Sequence, residues 1–280
     1  MIAESAEKGR RGRGEELYHR EAQRITGFGL NRSAHSTIVG AAPEGASDPQ
    51  AAARAVREMF TSIAPRYDLL NHLLSCNVDR MWWRKTARRF AAVLSRPEAN
   101  VLDLCCGTGD MTFALLRQAG KSGGRILGAD FSHAMLQRAS AKSVGTALRW
   151  VEADALRLPF PGEQFDVVTT AFGFRNLADY DAGLREMVRV LGPKGECGIL
   201  DFGEPRGMAG KFYRIYFKRV LPVIGTMISG VRGPYAYLPS SVERFPEPAE
   251  MLERMRAAGF REVSWTPYTL GIAGLYWGRK

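Results

Sequence analysis

Short apolar runs alternate with amphipathic helical stretches through the chain after residue 100. Five runs have the length of buried strands: 100–104, 125–130, 148–152, 165–171 and 196–202. Helical periodicity separates them over 111–118, 134–142 and 180–191. Because strands that alternate with helices form parallel sheets covered on both faces, the pattern predicts a doubly wound α/β domain.

Different patterns flank this alternating region. Two helical stretches, 56–63 and 67–94, precede the first strand, the second interrupted at 75–77. After residue 202 come an aromatic and basic segment, 211–237, a helix over 249–258 and two apolar runs at 260–265 and 272–277. The two runs are expected to add an antiparallel element at the sheet edge, which gives a mostly parallel seven-stranded sheet with a helical insertion before its last two strands.

Residues 1–55 have a different composition. They are rich in Gly, Ala, Ser and charged residues, with only Tyr18 and Phe28 as aromatics. Such a segment buries too little apolar area to offset the entropy of ordering. We expect a disordered arm over 1–55 and one folded domain over 56–280.

Composition excludes several classes of protein. With 45% hydrophobic and 24% charged residues, the 280-residue chain is typical of globular proteins. We find neither an apolar run of about 20 residues nor a leader-like N-terminus, so a cytoplasmic location is expected. The four cysteines form no C-x-x-C pair and have no clustered histidines, so no metal site is predicted.

The net charge of +10 lies mainly in the expected folded part, where 31 Lys and Arg face 22 Asp and Glu over residues 56–280. Aromatic residues are not interleaved with these cations as in nucleic-acid stacking surfaces. The charge therefore favours an anionic lipid surface or an anionic ligand over nucleic acid.

The clearest local motif is the segment Val-Leu-Asp-Leu-Cys-Cys-Gly-Thr-Gly-Asp at 101–110, an apolar strand that leads through small residues into a helix. Gly107 and Gly109 allow backbone to approach a ligand at the carboxyl end of the first strand. About twenty residues beyond Asp110, Asp130 ends the next strand, where a carboxylate can accept hydrogen bonds from both ribose hydroxyls. A nucleotide-like ligand is expected at this loop.

Two cofactor classes compete for this loop. The spacing is G-x-G-x-x-T, with Thr112 where the dinucleotide fingerprint has Gly or Ala, which weakens the NAD interpretation. Asp103 and Asp110 suit an ammonium and a sulfonium better than a diphosphate. The loop resembles the first motif of class I S-adenosylmethionine methyltransferases, a Rossmann-like fold. That resemblance implies a cofactor set of Asp103, Gly107, Thr108, Gly109, Asp130, Asp154, Ala155 and Ala171.

A more specific resemblance covers roughly 55–280. The motifs F-x-S-x-A-x-x-Y-D-x-x-N at 60–71, L-R-L-P-F at 156–160 and F-G-F-R-N at 172–176 resemble the demethylmenaquinone and 2-polyprenyl-6-methoxy-benzoquinol C-methyltransferase family of quinone biosynthesis. Cys105 and Cys106 depart from it, since relatives commonly have Ala or Gly there. The resemblance implies C-methylation of a polyprenylated quinol, with demethylmenaquinol the expected acceptor.

The same resemblance implies the catalytic residues. Arg175 is expected to stabilise the quinolate and to position a water molecule, because a guanidinium cannot readily accept a proton. Asn176 completes the hydrogen-bond set and Tyr67 orients the ring. Asp110 is the nearest expected proton acceptor.

The polyprenyl tail implies contact with a bilayer. The segment from Lys211 to Pro222 mixes aromatic and aliphatic residues with Lys and Arg, so we expect peripheral contact with the inner face of the membrane there, or an ordinary amphipathic helix that caps the sheet. Two alternative functions stay open: methylation of another lipophilic phenol or sterol, and a catalytically silent cofactor-binding partner in a quinone-synthesis assembly. The residues also leave open the choice between naphthoquinol and benzoquinol, the tail length and homo-oligomer formation.

Overall fold

Strands form where the apolar runs predict them. The computed structural model of the chain describes residues 40–41, 43, 46–66, 75, 77–120, 123–205, 210 and 234–280. The strands are β1 (Asn100–Leu104), β2 (Arg125–Asp130), β3 (Arg149–Glu152), β4 (Phe165–Ala171), β5 (Leu191–Phe202), β6 (Glu262–Tyr268) and β7 (Ala273–Arg279). The predicted bounds of β1, β2 and β4 are confirmed.

Helices cover the sheet. They are α1 (Pro49–Ile63), α2 (Val78–Arg89), α3 (Ala91–Leu94), α4 (Asp110–Ala119), α5 (His133–Lys142), α6 (Tyr180–Val190), α7 (Pro234–Arg244) and α8 (Pro248–Ala258). Among the described residues, short 3₁₀ turns lie at Ala64–Arg66, Phe174–Asn176 and Thr269–Gly271. None of the helices in the described part of the chain is long and apolar enough to cross a bilayer.

The seven strands make one sheet in the order β3-β2-β1-β4-β5-β7-β6. Strands β1 to β5 pair in parallel, whereas β7 pairs antiparallel with both β5 and β6. From β1 to β3 the strands are added towards one edge of the sheet, and from β4 they are added towards the other edge. A crevice therefore opens at the carboxyl ends of β1 and β4, where the order changes. The doubly wound, mostly parallel seven-stranded sheet predicted from the sequence is confirmed.

Two apolar layers enclose the sheet. One layer packs α6 and α8 against the strands through buried side chains that include Leu184, Met187 and Met251. The opposite layer packs α2 and α4 through Trp82, Phe90 and Leu115. Because both faces of β1, β4 and β5 are covered, most residues of these central strands are buried.

The first helix begins earlier than the sequence pattern suggests. Asp48 caps it by accepting a hydrogen bond from the Ala51 N–H at 2.8 Å, and Pro49 occupies its first turn, where a missing N–H costs nothing. Ala52 is fully buried. Residues 49–55, which the sequence assigned to a disordered arm, therefore belong to the folded part.

The backbone upstream of α1 is also paired, as Ala41 donates to the Leu177 carbonyl at 2.7 Å. Helix α7 is a second difference, since the sequence pattern gave no helix over 234–244. The segment from Lys211 to Pro222 lies outside the described residues.

Candidate active site

The loop between β1 and α4 forms a tight turn at the crevice. Gly107 and Gly109 have φ values of 55° and 92°, in the left-handed region that favours glycine. A Cβ atom on Gly109 would lie 2.6 Å from the Trp150 ring. The turn and the packing of Trp150 therefore both require glycine at position 109. Gly107 lines the two cavities described below, whereas Gly109 lines neither of them.

Asp103 lies beneath this loop and is fully buried. Its carboxylate accepts hydrogen bonds from the hydroxyls of Thr112 at 2.6 Å and Thr169 at 2.8 Å. Burial raises the pKa of Asp103 to about 7, although these two hydrogen bonds oppose the shift. Thr112, interpreted in the sequence as a break in the dinucleotide fingerprint, thus holds the first acidic residue of the motif.

Asp130 closes the other side of the loop. Its two oxygens accept the N–H groups of Gly107 at 2.8 Å and Ser132 at 2.9 Å. Burial raises the pKa of Asp130 to about 6, against these two backbone hydrogen bonds. Each carboxylate oxygen can accept a further hydrogen bond, so the ribose-binding role remains available to it.

Two cavities meet at the crevice. The larger encloses about 760 Å³ of empty space, part of it open to solvent, and the smaller about 390 Å³. Both are lined by Cys105, Gly107, Ala171 and Phe172. The shared wall makes the two cavities neighbouring parts of one site.

Most of the predicted cofactor residues line one cavity or the other. Gly107, Asp130, Asp154, Ala155 and Ala171 line the larger cavity. Asp103, Thr108 and Asp110 line the smaller. The Asp154 carboxylate also accepts the Leu156 N–H at 2.9 Å, which stabilises the turn after β3. Gly109 alone of the predicted set lines neither.

Arg175 is buried more deeply than its expected catalytic role suggested. Its side chain is 7% exposed and forms an ion pair of 2.9 Å with the fully buried Asp201. Its guanidinium also donates to the Phe172 carbonyl and lies 5.1 Å from the centre of the Phe202 ring. Arg175 lines neither cavity, so the structure places it beneath the crevice.

The other predicted catalytic residues lie at different depths. Asn176 lines the larger cavity, and its buried side-chain oxygen has no hydrogen-bond partner among the described residues. Asp110, in the first turn of α4, lines the smaller cavity and pairs with Lys142 at 3.2 Å. Tyr67 lies outside the described residues.

Sequence reasoning missed three contributors to the site. Asp201 is the next-to-last residue of β5 and is fully buried; an ionisable residue beside the apolar run Gly-Ile-Leu is a signal that the sequence contains. Helix α1 supplies Ala53 and Phe60 to the wall of the larger cavity. An aromatic cluster borders the crevice: Phe172 lies 4.5 Å from Phe202 and 5.8 Å from Trp82, measured between ring centres.

The loops after β1 and β4 approach closely. Cys105 and Phe172 have φ values of 51° and 58°, unfavourable for residues other than glycine. A Cβ atom on Gly173 would lie 2.3 Å from the Cβ of Cys105. The two strained loops therefore fit together only because residue 173 is glycine.

The sequence pattern of the ubiE/COQ5 methyltransferase family matches residues 48–280, most of the chain. The chain belongs to this family. A relative from Deinococcus radiodurans, named demethylmenaquinone methyltransferase, is 49% identical over 83% of this chain and 95% of its own length. A relative of the same name from Thermus thermophilus is 48% identical over 79% of this chain and its full length.

A further relative and a solved structure extend the comparison. A ubiquinone/menaquinone biosynthesis C-methyltransferase from Geobacter sulfurreducens is 43% identical over 80% of this chain and 88% of its own length. An S-adenosylmethionine-dependent methyltransferase from Thermotoga maritima has a TM-score of 0.55 at 18% identity, over 80% of this chain and 99% of its own. The fold of this ubiE/COQ5 family member is therefore the Rossmann-like methyltransferase fold.

The residues at the crevice fit the cofactor that the family implies. Asp130 and Asp154 line a cavity beside Gly107, where hydroxyl groups and an adenine ring find acceptors and an apolar wall of alanines. Asp103 and Asp110 line the adjoining cavity and supply negative charge for an ammonium group. The arrangement suits a ligand with a nucleoside at one end and a cationic amino acid at the other.

Proposed function

We propose that the protein binds S-adenosylmethionine and methylates a ring carbon of a polyprenylated quinol, converting demethylmenaquinol to menaquinol. The observation that supports this most directly is the double cavity at the β1–β4 crevice, with acidic residues in both parts. The two relatives at 49% and 48% identity are named demethylmenaquinone methyltransferase, which favours the naphthoquinol acceptor.

S-Adenosylmethionine supplies an electrophilic methyl group and leaves as S-adenosylhomocysteine. Asp130 and Asp154 would hold the nucleoside, and Asp103 and Asp110 would face the ammonium group. Cys105 and Phe172 line both cavities and would contact the cofactor where the two cavities meet. The carboxylates orient the cofactor before reaction, so little further ordering is required.

We place the acceptor ring against Phe172, the member of the aromatic cluster that lines both cavities. Loss of a hydroxyl proton makes the adjacent ring carbon nucleophilic; this carbon gains the methyl group and afterwards releases its hydrogen as a proton. Asp110 lies at the smaller cavity, where it can accept a proton. Tyr67, from the same motif as Phe60, orients the ring in this proposal.

Arg175 and Asn176 have separate roles. Asn176 lines the larger cavity and has a side-chain oxygen without a hydrogen-bond partner among the described residues, so we assign it a hydrogen bond to the ligands. Arg175 is a positioning residue: it pairs with Asp201 and donates to the carbonyl of Phe172, and Phe172 lines both cavities. A water molecule held by the Arg175 guanidinium can carry the hydroxyl proton away.

The reaction is tested with purified protein, methyl-labelled S-adenosylmethionine and a short-tailed demethylmenaquinol kept reduced. We expect a product that carries one labelled methyl group on the ring, and none from the oxidised quinone. A demethylated benzoquinol is the second acceptor, since the Geobacter relative is named for both pathways. Cofactor binding without methylation of either quinol would refute the proposal and favour the silent partner.

Arg175→Lys separates catalysis from binding. Lysine keeps the charge but loses the planar fork that contacts Phe172 and Asp201 together, so we expect turnover to fall by about a hundredfold with the cofactor Kd nearly unchanged. Asp130→Ala should weaken cofactor binding instead. An equal loss of cofactor affinity in Arg175→Lys would contradict its assignment as a positioning residue.

A further inference from the structure

One face of α2 carries a row of exposed arginines. Arg80, Arg84 and Arg88 follow one another at every fourth position, and all three side chains are exposed. Within the described ranges none of these three arginines forms an ion pair, whereas Arg89 pairs with Glu196. Unpaired cations along one helix face favour an anionic partner.

Exposed apolar side chains accompany this basic face. Met81 on α2 is 51% exposed, and Leu270 in the turn between β6 and β7 is 78% exposed. Leu270 has a φ value of 58°, an unfavourable conformation for leucine. The turn therefore carries an unusual backbone and a solvent-exposed leucine at its tip.

The helix and the turn form one surface. The indole N–H of Trp82 donates to the Thr269 hydroxyl at 2.8 Å, and the Lys85 ammonium lies 4.2 Å from the centre of the Tyr268 ring. These contacts fix the exposed Met81 and Leu270 on adjoining elements. We call the set Arg80, Met81, Arg84, Lys85 and Leu270 the rim surface.

The rim surface borders the candidate site. Phe202, at the carboxyl end of β5, pairs with Ala273, which pairs with Tyr268, so the turn after Tyr268 lies at the edge where the cavities open. Trp83, which follows Trp82 in α2, lines the smaller cavity. Arg89 marks the far end of the helix, because its partner Glu196 lies towards the opposite sheet edge.

We propose that the rim surface docks the enzyme on an anionic lipid bilayer, with the cavity edge towards the headgroups. Cations beside protruding apolar side chains are the composition of interfacial membrane contacts. Nucleic acid fits less well, because Trp82 and Trp83 are buried and offer no base-stacking surface. The proposed function supplies the purpose, since a polyprenyl tail is held in a bilayer, but the docking itself is independent of methyl transfer.

The test is flotation of the full chain with vesicles of phosphatidylcholine alone or mixed with phosphatidylglycerol, without cofactor or quinol. We expect retention on the anionic vesicles only, weakened by salt. The variant Arg80→Gln/Arg84→Gln should lower the apparent lipid affinity by about tenfold or more, since each basic residue near the surface contributes substantially. Its matched control is Arg125→Gln/Arg261→Gln, which removes two exposed arginines at the opposite sheet edge and should bind as the unmodified chain does.

A second variant tests the apolar part. Asparagine tolerates the backbone of residue 270, so Met81→Gln/Leu270→Asn should keep the fold and the cofactor affinity but reduce lipid retention. The proposal would be overturned if the rim arginine variant and its control lost lipid affinity equally, or if the rim variants bound the vesicles as well as the unmodified chain does. Stronger binding to a labelled RNA than to the vesicles would also overturn it. Lipid docking without methylation would refute the proposed function and leave this inference standing.

Discussion

Asp103 and Asp130, the two acidic residues beside the glycine loop, accept hydrogen bonds from different kinds of donor. Asp103 is held by two threonine hydroxyls, whereas Asp130 is held by two backbone N–H groups. The sequence predicted both positions, because each carboxylate stands in or at the end of a buried strand. It could not predict the pairing of Asp103 with Thr112, because that contact depends on how α4 packs against β1.

This burial predicts how cofactor affinity depends on pH. Asp103, with a pKa raised to about 7, must release a proton to face a cationic ammonium group, so affinity should rise between pH 5 and 7 and then level. The α-amino group, with a pKa of about 7.7–8.0, stays protonated over this range. Titration calorimetry at several pH values measures the effect.

Two variants control this titration. Asp103→Asn should bind the cofactor more weakly and lose most of the pH dependence of affinity, while Asp166→Asn, near the start of β4, should keep it.

The free energy of unfolding should change with pH in the opposite direction to the cofactor affinity. Because folding raises the pKa of Asp103 above its value in the unfolded chain, the ligand-free protein should lose stability as the pH rises towards 7. Affinity that falls from pH 5 to 7 would contradict the role assigned to Asp103.

The buried ion pair of Arg175 and Asp201 predicts how substitutions of these two residues change the free energy of unfolding. Removing one partner of a buried ion pair leaves an uncompensated charge, so Asp201→Asn should lower the free energy of unfolding by about 3–5 kcal/mol. Arg175→Met alone should cost a similar amount. The double variant should cost much less than the sum, because it leaves no unpaired charge. Denaturant unfolding of the four proteins measures the coupling, and additive losses would show that the two side chains act independently.

At the scale of elements, strand prediction succeeded where apolar runs end in turns. β1, β2 and β4 have the predicted bounds, whereas β5 begins at Leu191, in a Leu-Gly-Pro-Lys-Gly segment whose composition indicates a turn. Helix α7 was missed because it contains Pro239, which normally ends a helical pattern. Local composition is thus overridden where pairing with neighbouring strands or packing stabilises the backbone.

The contact between the β1 and β4 loops gives an element-scale prediction. Gly173→Ala places a Cβ atom 2.3 Å from the Cβ of Cys105, so it should destabilise the protein by about 1–3 kcal/mol. Cys105→Gly removes that atom and also suits the positive φ of residue 105. The double variant should therefore recover most of the loss. Thermal unfolding of the single and double variants decides it, and no recovery would mean that the loops can move apart freely.

At the scale of the molecule, the candidate site draws on distant parts of the chain. The sequence predicted a ligand at the loop after β1, and the sheet order places the crevice there, between β1 and β4. Helix α1 was predicted only from residue 56, and its role in lining the cavity could not be inferred, because periodicity identifies the apolar face of a helix but not what covers it. The structure adds that Arg57 of α1 pairs with Glu152 of β3 at 3.5 Å.

This assembly predicts a long-range effect of the cofactor. Phe60 and Ala53 of α1 line the same cavity as Asp130, so a bound cofactor should hold α1 against the sheet and slow its amide hydrogen exchange. Exchange in α8, which contributes no residue to either cavity, should change little by comparison. Peptide mass spectrometry with and without S-adenosylhomocysteine measures both helices. Phe60→Ala should reduce the protection of α1 selectively, and equal protection of both helices would instead indicate a general stabilisation in which α1 has no special part.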